Sequence, residues 1–101
     1  MFFSLTGIPL EFIRKLEDIS LSKVPPHPIV LEAELSRKSK DSVIWLKDGK
    51  PLKTGKKIRL EEAQNGLLHR VILDQISEED VGVYTIFAEK KSSTGNFDLK
   101  G

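Results

Sequence analysis

Ser77-Glu78-Glu79-Asp80-Val81-Gly82-Val83-Tyr84-Thr85-Ile86 carries the strongest fold signal in the chain. Asp80, Gly82 and Tyr84 stand one residue apart where a polar loop gives way to β-branched and aromatic residues. Asp-x-Gly-x-Tyr at a strand entry is the pattern of a tyrosine corner. There the phenol hydroxyl bonds back to backbone across a loop between the two sheets of a sandwich. Upstream, Val43-Ile44-Trp45-Leu46-Lys47-Asp48-Gly49 carries the only tryptophan of the chain and ends on a strong Asp-Gly turn signal. That strand supplies a large residue around which a sandwich core can be built.

Strand signals spread outward from these two stretches. Residues 29–36 alternate, with Leu31, Ala33 and Leu35 on one face and Glu32 and Glu34 on the other, which is the period of a half-buried strand. Val43 and Trp45 point inward from residues 42–47, and Pro51 suits a sheet edge. Residues 57–61 form a short strand before the Asn65-Gly66 turn. Residues 67–76 alternate again, with Val71 and Leu73 inward and Arg70 and Ile72 outward. Residues 83–89 and 96–100 finish as strands joined by the loop Lys90-Lys91-Ser92-Ser93-Thr94-Gly95. Val24-Pro25-Pro26-His27-Pro28 cannot donate a regular ladder and reads as an extended loop. Residues 9–21 leave two readings open by spacing alone, because Phe12, Ile13, Leu16 and Ile19 also lie near helical period.

The composition sets limits. The chain has 101 residues, a formal net charge of +1 and 31% charged residues, with no gross bias toward an acidic or nucleic-acid partner. No apolar run approaches the roughly 20 residues of a membrane span. The opening Met1-Phe2-Phe3-Ser4-Leu5 lacks a basic leader and a clear cleavage site, so it does not read as a signal peptide. There is no cysteine and no Asn-x-Ser/Thr sequon. Disulfides are rare in reducing compartments, so the expected location is intracellular.

Leu31-Glu32-Ala33, Trp45-Leu46-Lys47-Asp48-Gly49, Val71-Ile72-Leu73 and Asp80-Val81-Gly82-Val83-Tyr84 together resemble an intermediate-set (I-set) immunoglobulin domain of the giant sarcomeric and cytoskeletal proteins, the titin, obscurin, myomesin and myosin-binding protein group. The resemblance covers nearly all of the chain from Pro9. It implies an all-β fold: an immunoglobulin-like β-sandwich of two antiparallel sheets, here without a disulfide. It also favours strands over a helix at residues 9–21, the first through Phe12-Ile13 and a second at Ile19-Ser20-Leu21. The family's two bridge cysteines would fall at Ala33 and Ile86, where a small and a larger aliphatic residue can fill the volume instead. Forgoing the bridge costs about 2–4 kcal/mol, which good packing must offset. Residues 1–8 read as a linker or N-terminal extension and residues 9–101 as the domain. Trp45, Ala33, Ile86 and Leu73 are the expected centre of the core, with Leu31, Leu35, Val43, Val71 and Tyr84 around them.

No catalytic constellation is present. The two histidines, His27 and His69, lie apart in a proline-rich loop and near a strand start. No His/Asp/Glu cluster has metal-ligand spacing, and no glycine-rich loop leads into a helix. Asp80 reads as structural, accepting bonds at the corner or pairing with Arg59. The expectation is therefore no enzyme, no cofactor, no metal and no small-molecule substrate.

Three surfaces are candidates for contact. Lys47, Lys50, Lys53, Lys56, Lys57 and Arg59 form a basic patch, either a docking site for an acidic partner or a solvated hairpin that keeps a sheet edge soluble. No aromatic residue interleaves with the lysines, against nucleic acid. If Trp45, Tyr84 and Ile86 point inward, Ile44, Leu46 and Phe87 point outward and meet on one sheet. Such a group is either a protein-binding face or a modest apolar patch produced by β-propensity. Residues 96–100 and 57–61 are candidate edges for strand addition, with Lys56 and Lys57 as protection. The resemblance implies a structural and protein-interaction module of a larger muscle cytoskeletal protein, a spacer or anchor in the cytoplasm or sarcomere. Its partners would be filament or scaffold proteins and neighbouring immunoglobulin or fibronectin-type domains, with no membrane. The alternatives are an extracellular adhesion or receptor domain and a regulatory domain beside a muscle kinase.

Overall fold

The structure, a computed structural model, describes residues 8–23 and 28–99. The proline-rich loop expected at residues 24–28 lies outside the described residues except for Pro28, as do His27 and Lys100. Nine strands run through the described residues: β1 Phe12–Arg14, β2 Ile19–Leu21, β3 Ile29–Leu35, β4 Ile44–Lys47, β5 Lys50–Pro51, β6 Ile58–Ala63, β7 Leu68–Leu73, β8 Gly82–Ala88 and β9 Lys91–Leu99. They form two sheets, in the orders β1-β3-β7-β6 and β2-β9-β8-β4-β5. Every pairing is antiparallel except that of β2 with β9, which is parallel. The all-β sandwich expected from the sequence is what the chain forms.

Period-two alternation builds the core. Ile29, Leu31, Ala33 and Leu35 of β3 are buried, as are Val71 and Leu73 of β7, facing Trp45 of β4 and Tyr84 and Ile86 of β8 from the other sheet. Burying one such aliphatic side chain contributes about 1.5–3 kcal/mol. Ala33 and Ile86, at the positions where the resemblance places cysteines, are both 0% exposed and share one apolar cluster with Trp45. Ile72 departs from its expected outward exposure and is buried. It does lie on the outer side, but β7 is flanked by β3 and β6. Val30 and Arg59 stand opposite it in register, and neighbours on both sides cover it.

The strand reading holds at the N-terminus. β1 pairs with β3 through Phe12↔Leu35, its register then shifts, and the chain crosses so that β2 runs beside β9. Leu10 and Leu16 are buried on the way. The crossing explains the misread loop at residues 90–95. Only Glu89 and Lys90 form the turn, Ala88 pairs with Lys91, and Ser92 to Gly95 continue the ladder. Two of them, Ser93 and Gly95, serve the crossing chain. The Leu16 N–H donates to Ser93 Oγ at 2.9 Å. A Cβ on Gly95 would lie 2.8 Å from the Glu17 carbonyl oxygen. The same crossing removes an expected edge: β9 is flanked by β2 and by Asp18, whose carboxylate accepts from the Asn96 N–H at 2.9 Å.

Candidate functional site

The tyrosine corner holds the strands that carry the outer face. Ser77 leads into a single 3-10 turn, Glu78–Asp80, and the Ser77 N–H donates to Asp80 Oδ2 at 2.9 Å. The Tyr84 hydroxyl donates to the Asp80 carbonyl at 2.6 Å. Burial first, then the Asp80 and Asp48 charges, push the Tyr84 hydroxyl pKa up, so it remains a donor. Asp80 does not pair with Arg59. Arg59 lies 3.6 Å from Asp74 instead, because register sets β6 beside the end of β7. The glycine of the motif answers to the upstream turn: Asp48 Oδ1 accepts from the Val83 N–H at 2.9 Å. A Cβ on Gly82 would stand 2.7 Å from the Asp48 carboxylate oxygens. The two diagnostic stretches thus lock onto each other.

That lock sets the register of β4 against β8, placing Ile44 opposite Phe87 and Leu46 opposite Thr85. Ile44 is 51% exposed and Phe87 38%, while Leu46 is half-buried. Val83, on the same side and 38% exposed, extends the patch. The sequence reading missed it, though alternation from Tyr84 points to it. Thr85 and Thr94, facing each other with their hydroxyl oxygens 3.2 Å apart, complete a face without a charged side chain across the middle of β4, β8 and β9.

The outer side of the other sheet differs, setting ion pairs beside the exposed Val30. Glu32 accepts from both Arg14 and Arg70, with Arg70 Nε at 2.6 Å, and Arg70 Nη1 lies 3.9 Å from Glu61. The Arg70 bond, opposed by desolvation and helped by the charges of Arg70 and Arg14, holds the Glu32 carboxyl below its ordinary range. Exposed pairs of this kind contribute little stability, but they leave the face hydrated and balanced in charge.

The basic residues divide. Lys47 Nζ donates to the Glu79 carbonyl at 2.7 Å, fixing the turn before β8, and Arg59 faces Asp74. Lys50, Lys53, Lys56 and Lys57 are exposed along the segment that joins the two sheets, without an ion pair among the described residues. His69 is buried, its Nε2 3.0 Å from the Gly66 carbonyl, spanning the turn before β7. Among the described residues no group of three His, Asp or Glu could hold a metal ion, and no helix is long and apolar enough to cross a membrane. Beside His69 and Trp45 an open cleft of about 450 Å³ mixes Lys38 and Lys40 with Glu61 and Glu62 and converges on no reactive group.

One clamp was invisible in the sequence because its partners lie 52 positions apart. Arg37 donates to both oxygens of Glu89 at 2.7 and 2.8 Å and to the Ile8 carbonyl at 2.7 Å, while the Lys40 N–H adds a bond to Glu89 at 2.8 Å. The Arg37 bond first, then that of Lys40, hold the Glu89 pKa down to about 2. A depressed carboxyl stabilises the fold fully above the ordinary glutamate pKa of about 4.3 and loses that contribution as pH falls through the folded value. Between pH 4.3 and 2, therefore, the native domain should lose stability more steeply than Glu89→Gln, with parallel curves above that window. Urea titrations at stepped pH check this; curves parallel throughout would remove the clamp from the acid response.

The immunoglobulin I-set domain model matches residues 10–100. Among solved structures, the titin I9–I11 tandem superposes with a TM-score of 0.78 at 24% identity, covering 91% of this chain and 33% of that one. The chain thus spans a third of the tandem's length. Titin domain I10 gives 0.75 at 21% identity, covering 91% and 99% of the two chains. A chain of a mutant titin M10–obscurin-like 1 Ig complex gives 0.76 at 19% identity, covering 91% and 93%. With its corner, its buried tryptophan and its two-sheet order, this chain belongs to the immunoglobulin I-set domain family.

Proposed function

We propose that this domain is a non-catalytic structural and docking module of a larger intracellular muscle cytoskeletal protein, and that it docks another immunoglobulin-like domain on the outer face of β4 and β8. The observation that carries the docking surface is the uncharged strip centred on the Ile44–Phe87 pair, whereas the outer face of the opposite sheet sets its exposed Val30 among the ion pairs of Glu32 and Arg70. Ile44, Phe87 and Val83, three exposed apolar residues on one face, form a contact surface of the kind a second flat sheet face can cover. The likeness to titin domains, and to a chain of a titin M10–obscurin-like 1 Ig complex, supports a partner of the same class. The core filled by Ala33 and Ile86 in place of a bridge supports an intracellular setting. Residues 1–8 are a linker or an N-terminal extension in this reading.

The test compares the native domain with the double variant Ile44→Lys, Phe87→Lys, shown to remain folded. Purified sarcomeric immunoglobulin domains and striated-muscle extract serve as ligands. Capture of an immunoglobulin-containing protein by the native domain and its loss with the variant is the expected result, accompanied by amide shift changes at Ile44 and Phe87. Equal capture by both proteins would remove this face from the reading, and no capture by either would leave a passive spacer.

A further inference from the structure

The described residues present four sheet edges, and three are blunted. β1 and β2 have three residues each, and β1 carries a register shift. β5 has two residues. Its pairing of Lys50 with Lys47, and the Leu52 N–H bond to the Trp45 carbonyl, turn Pro51 outward, where it offers no N–H. β6 is different: six residues, no proline, and an unbroken register against β7 from Ile58↔Leu73 to Ala63↔Leu68. Lys56 and Lys57 precede it and do not interrupt it.

The phase of that ladder follows from one bond. The Asp74 N–H donates to the Lys57 carbonyl, so by alternation the backbone groups of Arg59 and Glu61 turn toward β7 while those of Ile58, Leu60 and Glu62 turn away. The Ile58 carbonyl already accepts from the Gly55 N–H at 2.9 Å. The open backbone therefore begins at Leu60, whose side chain is 44% exposed.

We propose that β6 is a self-association edge, on which a second copy of this chain lays its own β6 antiparallel about a two-fold axis through Leu60. The charge order is the argument. In Lys56-Lys57-Ile58-Arg59-Leu60-Glu61-Glu62 every basic residue precedes Leu60 and both acids follow it. Antiparallel pairing about Leu60 sets the basic half of each copy on the acidic half of the other. Arg59 then stands opposite Glu61 of the second copy, twice, on the same outer face. The two Leu60 residues exchange both of their outward N–H and carbonyl groups and face each other. A two-fold centred on Glu61 or Arg59 would oppose like charges, as would a parallel in-register pair. The loose Arg59–Asp74 pair, with the arginine side chain 53% exposed, yields at little cost. Gly55 over Ile58 keeps the new ladder short and below the size of stable interfaces, so association is weak and shows at high protein concentration.

Sedimentation and amide spectra across a concentration series test the proposal. Native protein should self-associate, with shift changes centred on residues 59–62. Arg59→Glu and Glu61→Arg should each weaken association about tenfold or more by opposing like charges. An equimolar mixture of the two should regain it as a heterodimer, since each then supplies what the other lacks. Leu60→Pro removes an N–H that the ladder with β7 does not use, so it should keep the fold and abolish association. Should that variant unfold, the charge-reversal mixture still decides. A native protein monomeric at millimolar concentration would overturn the proposal. So would single reversals that associate like the native chain, or a mixture of folded reversals that stays monomeric.

Discussion

Trp45→Ala is expected to lower the unfolding free energy by about 3–5 kcal/mol, the range for removing a large aromatic side chain from a core. Trp45 is 6% exposed and belongs to the cluster that joins Leu31, Ala33, Val71 and Leu73 of one sheet to Tyr84 and Ile86 of the other. No covalent bridge spans those sheets, because the chain has no cysteine, so the indole does much of the work of holding them at their spacing. Against a total stability of about 5–15 kcal/mol for a domain of ordinary size, that loss brings the variant close to unfolding at room temperature. Urea unfolding followed by far-ultraviolet dichroism is the measurement, since the variant loses its only fluorescent indole. A midpoint within error of the native one would place the indole outside the core.

Phe97→Ala should cost about as much, again about 3–5 kcal/mol. The sequence places Phe97 on a terminal strand that reads as an open edge, where such a change would be mild. In the fold Phe97 is 1% exposed, with Ile19 of β2 opposite on one side and Gly82 of β8 on the other. Phe97→Leu, which keeps most of the apolar volume, should recover much of the loss. The same urea experiment reads both variants. A Phe97→Ala effect within about 0.5 kcal/mol, as at a surface position, would mean that β2 does not cover β9 in solution.

These two residues mark the difference between what could be read and what could not. Trp45 was legible because its strand alternates and ends on a turn signal, so the inward side follows from local period alone. The positions of Ile44, Leu46 and Phe87 on the outer side follow by the same rule. Only pairing register shows that Ile44 and Phe87 stand opposite each other rather than at a diagonal. Phe97 is equally apolar and packs in the same core cluster, but its strand reads as an open edge until β2, a segment nearly 80 positions earlier, is seen to run beside it. Ser92 to Gly95 read as a loop for the same reason: the Ser93 hydroxyl and the bare Gly95 backbone fit residues 16–17, which no local pattern reveals. The Arg37–Glu89 clamp and the Arg59–Asp74 pair are likewise products of which strands become neighbours.

The class of fold, its two-sheet core and its corner were all legible along the chain. Each of these rests on interactions within a few residues or on strict alternation: the Tyr84 hydroxyl reaches Asp80 only four positions away, and one side of β3 and of β8 is buried and largely apolar. The tertiary structure alone decided which edges stay open, which charges are already paired and which apolar residues remain on the surface. β9 lost its edge to β2, and Ile72 was covered by Val30 and Arg59. β6 kept its edge because no described strand pairs with its outer side. Exposure is a property of neighbours, and in a sandwich the neighbours come from distant parts of the chain.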